Sequence, residues 1–117
     1  MTTQQIADRF YMLAQEGKFD EIQDELYAQD VKSTEPEGSP WPQVQGIAAV
    51  KEKGVKFNEM VEEMYGGFTD RPIVSGNTFA CRMGFEAKMK GREREAMEEI
   101  ALYRVKDGKI ISEQFFM

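Results

Sequence analysis

The sequence predicts an α+β domain in which N-terminal helices pack against the concave face of a curved antiparallel sheet. Three observations carry this. Apolar residues recur at helical spacing through the N-terminal half. The odd positions Phe79, Cys81, Met83, Phe85, Ala87 and Met89 are all apolar between mostly polar even ones, the signature of a half-buried strand. The dipeptides Lys90-Gly91 and Asp107-Gly108 then divide the last third into a three-stranded meander. Helices followed by such a meander place the helices on one face of the sheet. A chain of 117 residues forms one domain, residues 1–117, with room for a real core.

Thr3 is the expected N-cap of a first helix running to about Glu16, with Ile6, Phe10 and Leu13 as its apolar stripe and Gly17 as its stop. Phe19, Ile22 and Leu26 predict a shorter second helix to about Tyr27. Val31 to Glu35 reads as a brief strand, and the Pro- and Gly-rich stretch up to Val44 as loop. Gly46 opens a third helix, Ile47 to about Asn58, interrupted by Gly54. A strand around Val61 to Tyr65 precedes turn signals at Gly66-Gly67 and Arg71-Pro72.

A two-residue turn at Lys90-Gly91 would pair Arg82 with Glu99 and Lys88 with Glu93. Ala96, Ile100 and Leu102 then share a face with Phe79, Cys81 and Phe85; a slip of one residue would bring Glu95 and Glu99 there instead. A two-residue turn at Asp107-Gly108 adds Ile111, Phe115 and Met117. The inner face is then apolar except for Glu98 and Glu113. The outer face carries Met97, Ala101, Tyr103, Ile110 and Phe116, too apolar for water, so a homodimer through that face is expected.

Hydrophobic content of 41%, charged content of 31% and net charge −6 describe an acidic globular domain. The acidic balance argues against nucleic-acid and anionic-membrane partners. The absence of an N-terminal secretory pattern and a single cysteine, Cys81, make the cytoplasm the expected location. With no histidine, no histidine-based triad is possible and the commonest metal ligand is missing. No phosphate-binding glycine loop occurs, and no metal or cofactor is assigned.

Phe10 with Gly17, Leu26-Tyr27-Ala28-Gln29-Asp30, Glu35-Pro36-Glu37-Gly38, Gly46, Lys90-Gly91 and Val105-Lys106-Asp107-Gly108-Lys109-Ile110 together give the chain a pattern that resembles the SnoaL-like and ketosteroid-isomerase-like proteins of the nuclear-transport-factor-like superfamily. The resemblance implies a cone-shaped, cystatin-like α+β barrel with a pocket between helices and sheet, and usually a dimer. Carried over residue by residue, the isomerase base falls on Glu35 before Pro36, its tyrosine donor on Phe10 and its protonated acid on Ile100. Neither replacement can donate a hydrogen bond. Losing one such donor costs ~10²–10³ in rate, which argues against the steroid-isomerase reaction. The resemblance to polyketide cyclases still implies base-assisted chemistry without that donor pair.

These observations make Glu35 the candidate general base for proton abstraction next to a carbonyl. The expected ligand is a small apolar organic molecule, with Phe10, Trp41, Phe79, Met83, Phe85, Glu98, Ile100, Glu113 and Phe115 as candidate binding residues. The alternative is a non-catalytic ligand-binding or dimerisation domain, in which Glu35 is a solvated loop carboxylate and the aromatics are core.

Overall fold

The computed structural model describes residues 1–117. Helix α1, Thr3–Gln15, begins one residue earlier than its sequence signal. Thr2 accepts a hydrogen bond from the Gln5 amide at 3.1 Å, and the Gln5 side chain accepts one from the Thr2 amide at 2.8 Å. This reciprocal box satisfies two helix-end donors at once, so Thr2 caps in place of Thr3. Helix α2, Phe19–Leu26, buries Ile22 and Leu26. Strand β1 follows without a break at Tyr27–Thr34, and β2 is a short strand at Gln43–Gln45. Helix α3 spans Ile47–Met60 behind Gly46, whose φ of 95° suits the sharp entry.

Strand β3, Val61–Thr69, continues through Gly66-Gly67, which the sequence marks as a turn, with a shift in its pairing between Met64 and Gly66, and β4 is Ile73–Ser75. The long strands are β5, Thr78–Met89, β6, Arg94–Lys106, and β7, Lys109–Phe116. They stand in the order β2-β1-β7-β6-β5-β3, with β4 beside the other end of β5. The sheet is curved but unclosed. It is mixed rather than wholly antiparallel, because β1 lies parallel to β7. Parallel neighbours need a long crossover, and residues 35–108 supply it.

The β5–β6 register differs from the expected one by a single residue. Arg82 faces Ile100 and Lys88 faces Arg94, which leaves a longer turn than two residues, with Gly91 at φ 77°. The odd residues of both strands therefore share the concave face: Phe79 beside Tyr103, Cys81 beside Ala101, Met83 beside Glu99. Phe79, Met83 and Phe115 stand together on that side of the sheet. The expected outer-face set is corrected: Ala101, Tyr103 and Ile110 are core and Met97, opposite Phe85, turns to the concave face, while Ile100 and Phe116 are exposed on the convex side. Asp107 and Gly108 both have positive φ, as the tight β6–β7 hairpin demands. A bulge between Arg104 and Val105 then shifts the pairing, so Tyr103 faces Glu113 and Ala101 faces Phe115.

The core sits between α1, α2 and this concave face. Phe10 meets Phe79 edge-on at 5.4 Å and Tyr103 at 4.8 Å, and Phe79 stacks on Tyr103 at 4.9 Å. No helix is long and apolar enough to cross a membrane.

Two glycines give opposite expectations. A Cβ on Gly84 would lie 2.4 Å from the Met97 carbonyl oxygen and 2.8 Å from the Phe68 ring, so Gly84→Ala is expected to cost about 1–3 kcal/mol in a urea titration. Gly54 lies inside α3 with open space around it, and Gly54→Ala is expected to stabilise by about 0.5–1 kcal/mol in the same measurement.

Candidate functional site

A cavity of about 750 Å³ opens between α1, α2 and α3 on one side and β3, β5 and β6 on the other. Met83, Phe85, Phe57 and Val55 supply its apolar wall, and Phe57 meets Phe85 edge-on at 5.4 Å. Only eight of its twenty lining residues are hydrophobic, so the lining is mixed rather than uniformly greasy. Gln15, Gln23, Asn58 and Thr69 bring neutral polar groups, and Gln15 is fixed by donating to the Thr69 carbonyl oxygen at 2.8 Å.

Glu99 is the carboxyl of the sheet wall that reaches this cavity, standing beside Met83 on the neighbouring strand. Its side chain is half-buried. Burial, reinforced by the negative charges of Glu35 and Glu113, pushes its pKa up to about 7, while Lys53 opposes the rise.

Beside the cavity, on the same concave face, lies a second set of polar groups. Glu113 is buried on β7, where its carboxylate accepts a hydrogen bond from the Tyr27 hydroxyl and another from Ser33 Oγ at 2.6 Å. Lys53 reaches down from α3 and donates to Ser33 Oγ at 2.6 Å and to Glu35 Oε1 at 2.5 Å. Its ammonium lies 3.8 Å from Glu113 and 5.5 Å from the centre of the Phe115 ring. Burial raises the pKa of Glu113, against the hydrogen bonds from Ser33 and Tyr27 that favour its ionised form. Burial likewise drives the Tyr27 hydroxyl well above its usual range, with the Glu113 charge adding to it, so Tyr27 remains a donor. No buried side-chain polar atom is left without a partner.

The structure separates the sequence candidates. Met83 and Phe85 line the cavity. Phe10 and Phe79 belong to the closed core, and Phe115 is half-buried against it. Glu35 is held in its ion pair with Lys53 and does not line the cavity, nor does the half-buried Trp41. Two placements are corrected. Glu98 lies on the convex face, paired with Arg82 at 3.3 Å, and Ile100 lies exposed beside it, because the register carries even residues of β6 outward. The carboxyl one residue before Ile100, Glu99, faces the cavity instead. Sequence reasoning missed Glu99, Lys53, Ser33 and Tyr27. The signal for Glu99 was the apolar odd series Met97, Ala101, Tyr103 and Val105, to which it belongs by parity.

The family model described as SnoaL-like domain matches residues 1–117. A search of curated proteins returns no match. Among solved structures, a SnoaL-like polyketide cyclase candidate from Mesorhizobium loti, also described as a carbohydrate phosphatase, is similar at 34% identity and TM-score 0.94 over 100% of both chains. A cystatin-like protein of unknown function from Xanthomonas campestris shares 23% identity at TM-score 0.81, over 99% of this chain and 90% of its own. An NTF2-like protein from Burkholderia thailandensis shares 17% at TM-score 0.82, with the same coverage of 99% and 90%. The last two speak for the fold alone.

The raised pKa of Glu99 fixes the sign of a stability test. Between the ordinary carboxyl value of 4.5 and about 7 the folded state holds a proton that the unfolded chain has lost, so native stability falls as pH rises through that window. Glu99→Gln is expected to raise the melting temperature at pH 8 and leave it nearly unchanged at pH 4, measured by calorimetry. Lys53→Met leaves the buried Glu113 without its cation and is expected to cost about 3–5 kcal/mol, most of it recovered on adding Glu113→Gln.

Proposed function

The chain belongs to the SnoaL-like domain family, and from that premise we propose that it binds a small organic carbonyl compound in the cavity between helices and sheet and abstracts a proton from the carbon next to the carbonyl. Isomerisation, aldol-type cyclisation and dehydration all begin with that step. The observation that carries the reading is the half-buried Glu99 carboxyl on the cavity wall beside Met83 and Phe85.

A general base works best when its pKa lies near the operating pH, and a carboxyl at about 7 meets that condition while remaining able to return the proton. This moves the base from Glu35 to Glu99. Glu35 is tied to Lys53 away from the cavity lining, and it acts on the reaction as a nearby negative charge. The proton passes from substrate carbon to a Glu99 oxygen, the electron pair collapses into the enolate, and the protonated Glu99 delivers the proton at the new position. Gln15, Asn58 and Thr69 are the cavity's neutral candidates for hydrogen bonding the substrate oxygen.

Phosphate chemistry, suggested by the second description of the Mesorhizobium loti protein, finds less support here. Its transition state needs cationic donors, no arginine lines the cavity, and its one lysine, Lys51, is paired with Asp24 at 2.5 Å. The proposal retains a homodimer through the convex face, keeping Phe116 and adding Ile100 and Leu102.

The test is deuterium uptake by the acetyl methyl group of 2-acetylnaphthalene in D₂O, followed by proton NMR. The wild type is expected to accelerate exchange with a pH dependence rising to a plateau above a midpoint near 7, and Glu99→Gln to lose about 10²–10⁴ of that acceleration. Glu35→Gln should keep activity but lower the midpoint, since one of the charges that raises it is gone. Unchanged exchange in Glu99→Gln removes Glu99 from the mechanism.

A further inference from the structure

The charges around the cavity carry the ligand assignment further, resting on the reading just given. Three lining residues are ionisable by type: Asp20 on α2, Lys51 on α3 and Glu99 on β6. The Lys51 ammonium is already taken by Asp24 at 2.5 Å, which ties α3 to α2. Beside the cavity, Lys53 is shared among Ser33, Glu35 and Glu113. The two lysines at the cavity, Lys51 and Lys53, are therefore each paired with a protein carboxylate, while Glu99, Asp20, Glu35 and Glu113 leave a surplus of negative charge. The remaining polar lining is amide and hydroxyl: Gln15, Gln23, Asn58 and Thr69.

We infer that the site takes uncharged carbonyl compounds and rejects their carboxylate forms. Two physical effects act together. A ligand carboxylate in the cavity meets like charges without a free cation to pair with, in a partly dehydrated space where such repulsion is weakly screened. Its charge also holds the proton on Glu99, so the bound acid would switch off the base that it needs. A neutral ester, ketone or amide suffers neither effect and can use the amide and hydroxyl groups of the lining. Specificity here comes from repulsion built into the wall as much as from attraction.

The probes are methyl 6-acetyl-2-naphthoate and its free acid, 6-acetyl-2-naphthoate, which differ chiefly in the charge at one end. Dissociation constants are measured by saturation-transfer NMR titration at pH 8 and pH 5.5, with wild type, Glu99→Gln and Gly54→Leu. The Gly54 variant is chosen because this residue lines the cavity and nothing lies within 4 Å of its added Cβ, so a leucine there fills the ligand space. The expected result has four parts. The ester binds the wild type about ten- to hundredfold tighter than the acid at pH 8. That gap narrows at pH 5.5, where Glu99 is protonated and the acid is still ionised. It narrows likewise in Glu99→Gln, and Gly54→Leu abolishes ester binding. Equal or tighter binding of the acid at pH 8, still blocked by Gly54→Leu, overturns the charge selection and leaves the cavity reading intact. Binding of neither probe, or ester binding that Gly54→Leu does not touch, overturns the cavity reading and this inference with it.

Discussion

The pairing of Phe79 with Tyr103 on the concave face is the constraint on which the rest depends. Side chains alternate along a strand, so a register one residue away would exchange every inward and outward residue of β6. The observed register buries Ala101, Tyr103 and Val105 and completes the aromatic cluster with Phe10 and Phe79. The alternative would bury Leu102 and Ile100 at the cost of turning Arg104 and Lys106 toward the core. One aromatic cluster outweighs two aliphatic residues when two cations come with the latter.

The α1 stripe, the position of α3, the period-two run of β5 and the tight Asp107-Gly108 turn were all legible in the sequence, because each rests on local geometry. The β5–β6 register was not, for a specific reason. Charge at Glu95 weighs against the observed pairing only where the strand is buried, and Glu95 lies near the turn, where successive β6 residues are exposed on both faces. Burial was read along the whole strand when only the half around Ala101 to Val105 is covered. The assumed two-residue turn reinforced the error. Glu113 and Phe115 nevertheless reached the concave face as expected, because the bulge after Arg104 reverses the parity a second time. That agreement is two displacements cancelling, and a sequence gives no direct sign of a bulge at that place.

The buried polar set was half legible. An acid at position 113 in an apolar strand demanded a partner, but its partners come from β1 and α3, far away in the chain. Only the tertiary arrangement brings Tyr27, Ser33 and Lys53 to one carboxylate. A buried charge of this kind contributes little net stability, and removing one member is costly because it strands the others. Its consequence is positional. Lys53 compensates Glu35 and Glu113 incompletely, and the residual field, added to burial, sets the protonation of Glu99 on the cavity wall.

Helix α3 links the two systems. Its Gly54, Val55 and Phe57 face the cavity, while the adjacent Lys53 is anchored in the hydrogen-bonded set beside it on the same concave face. Moving α3 outward to admit a ligand would draw Lys53 from Ser33 and Glu35 and expose the uncompensated Glu113 charge to a dry environment. That cost holds the helix in place and makes the cavity a preformed space. A preformed space cannot discriminate among ligands by closing around the right one. It must do so through the shape and charge already present on its walls, and here the charge is a carboxyl poised between its two forms.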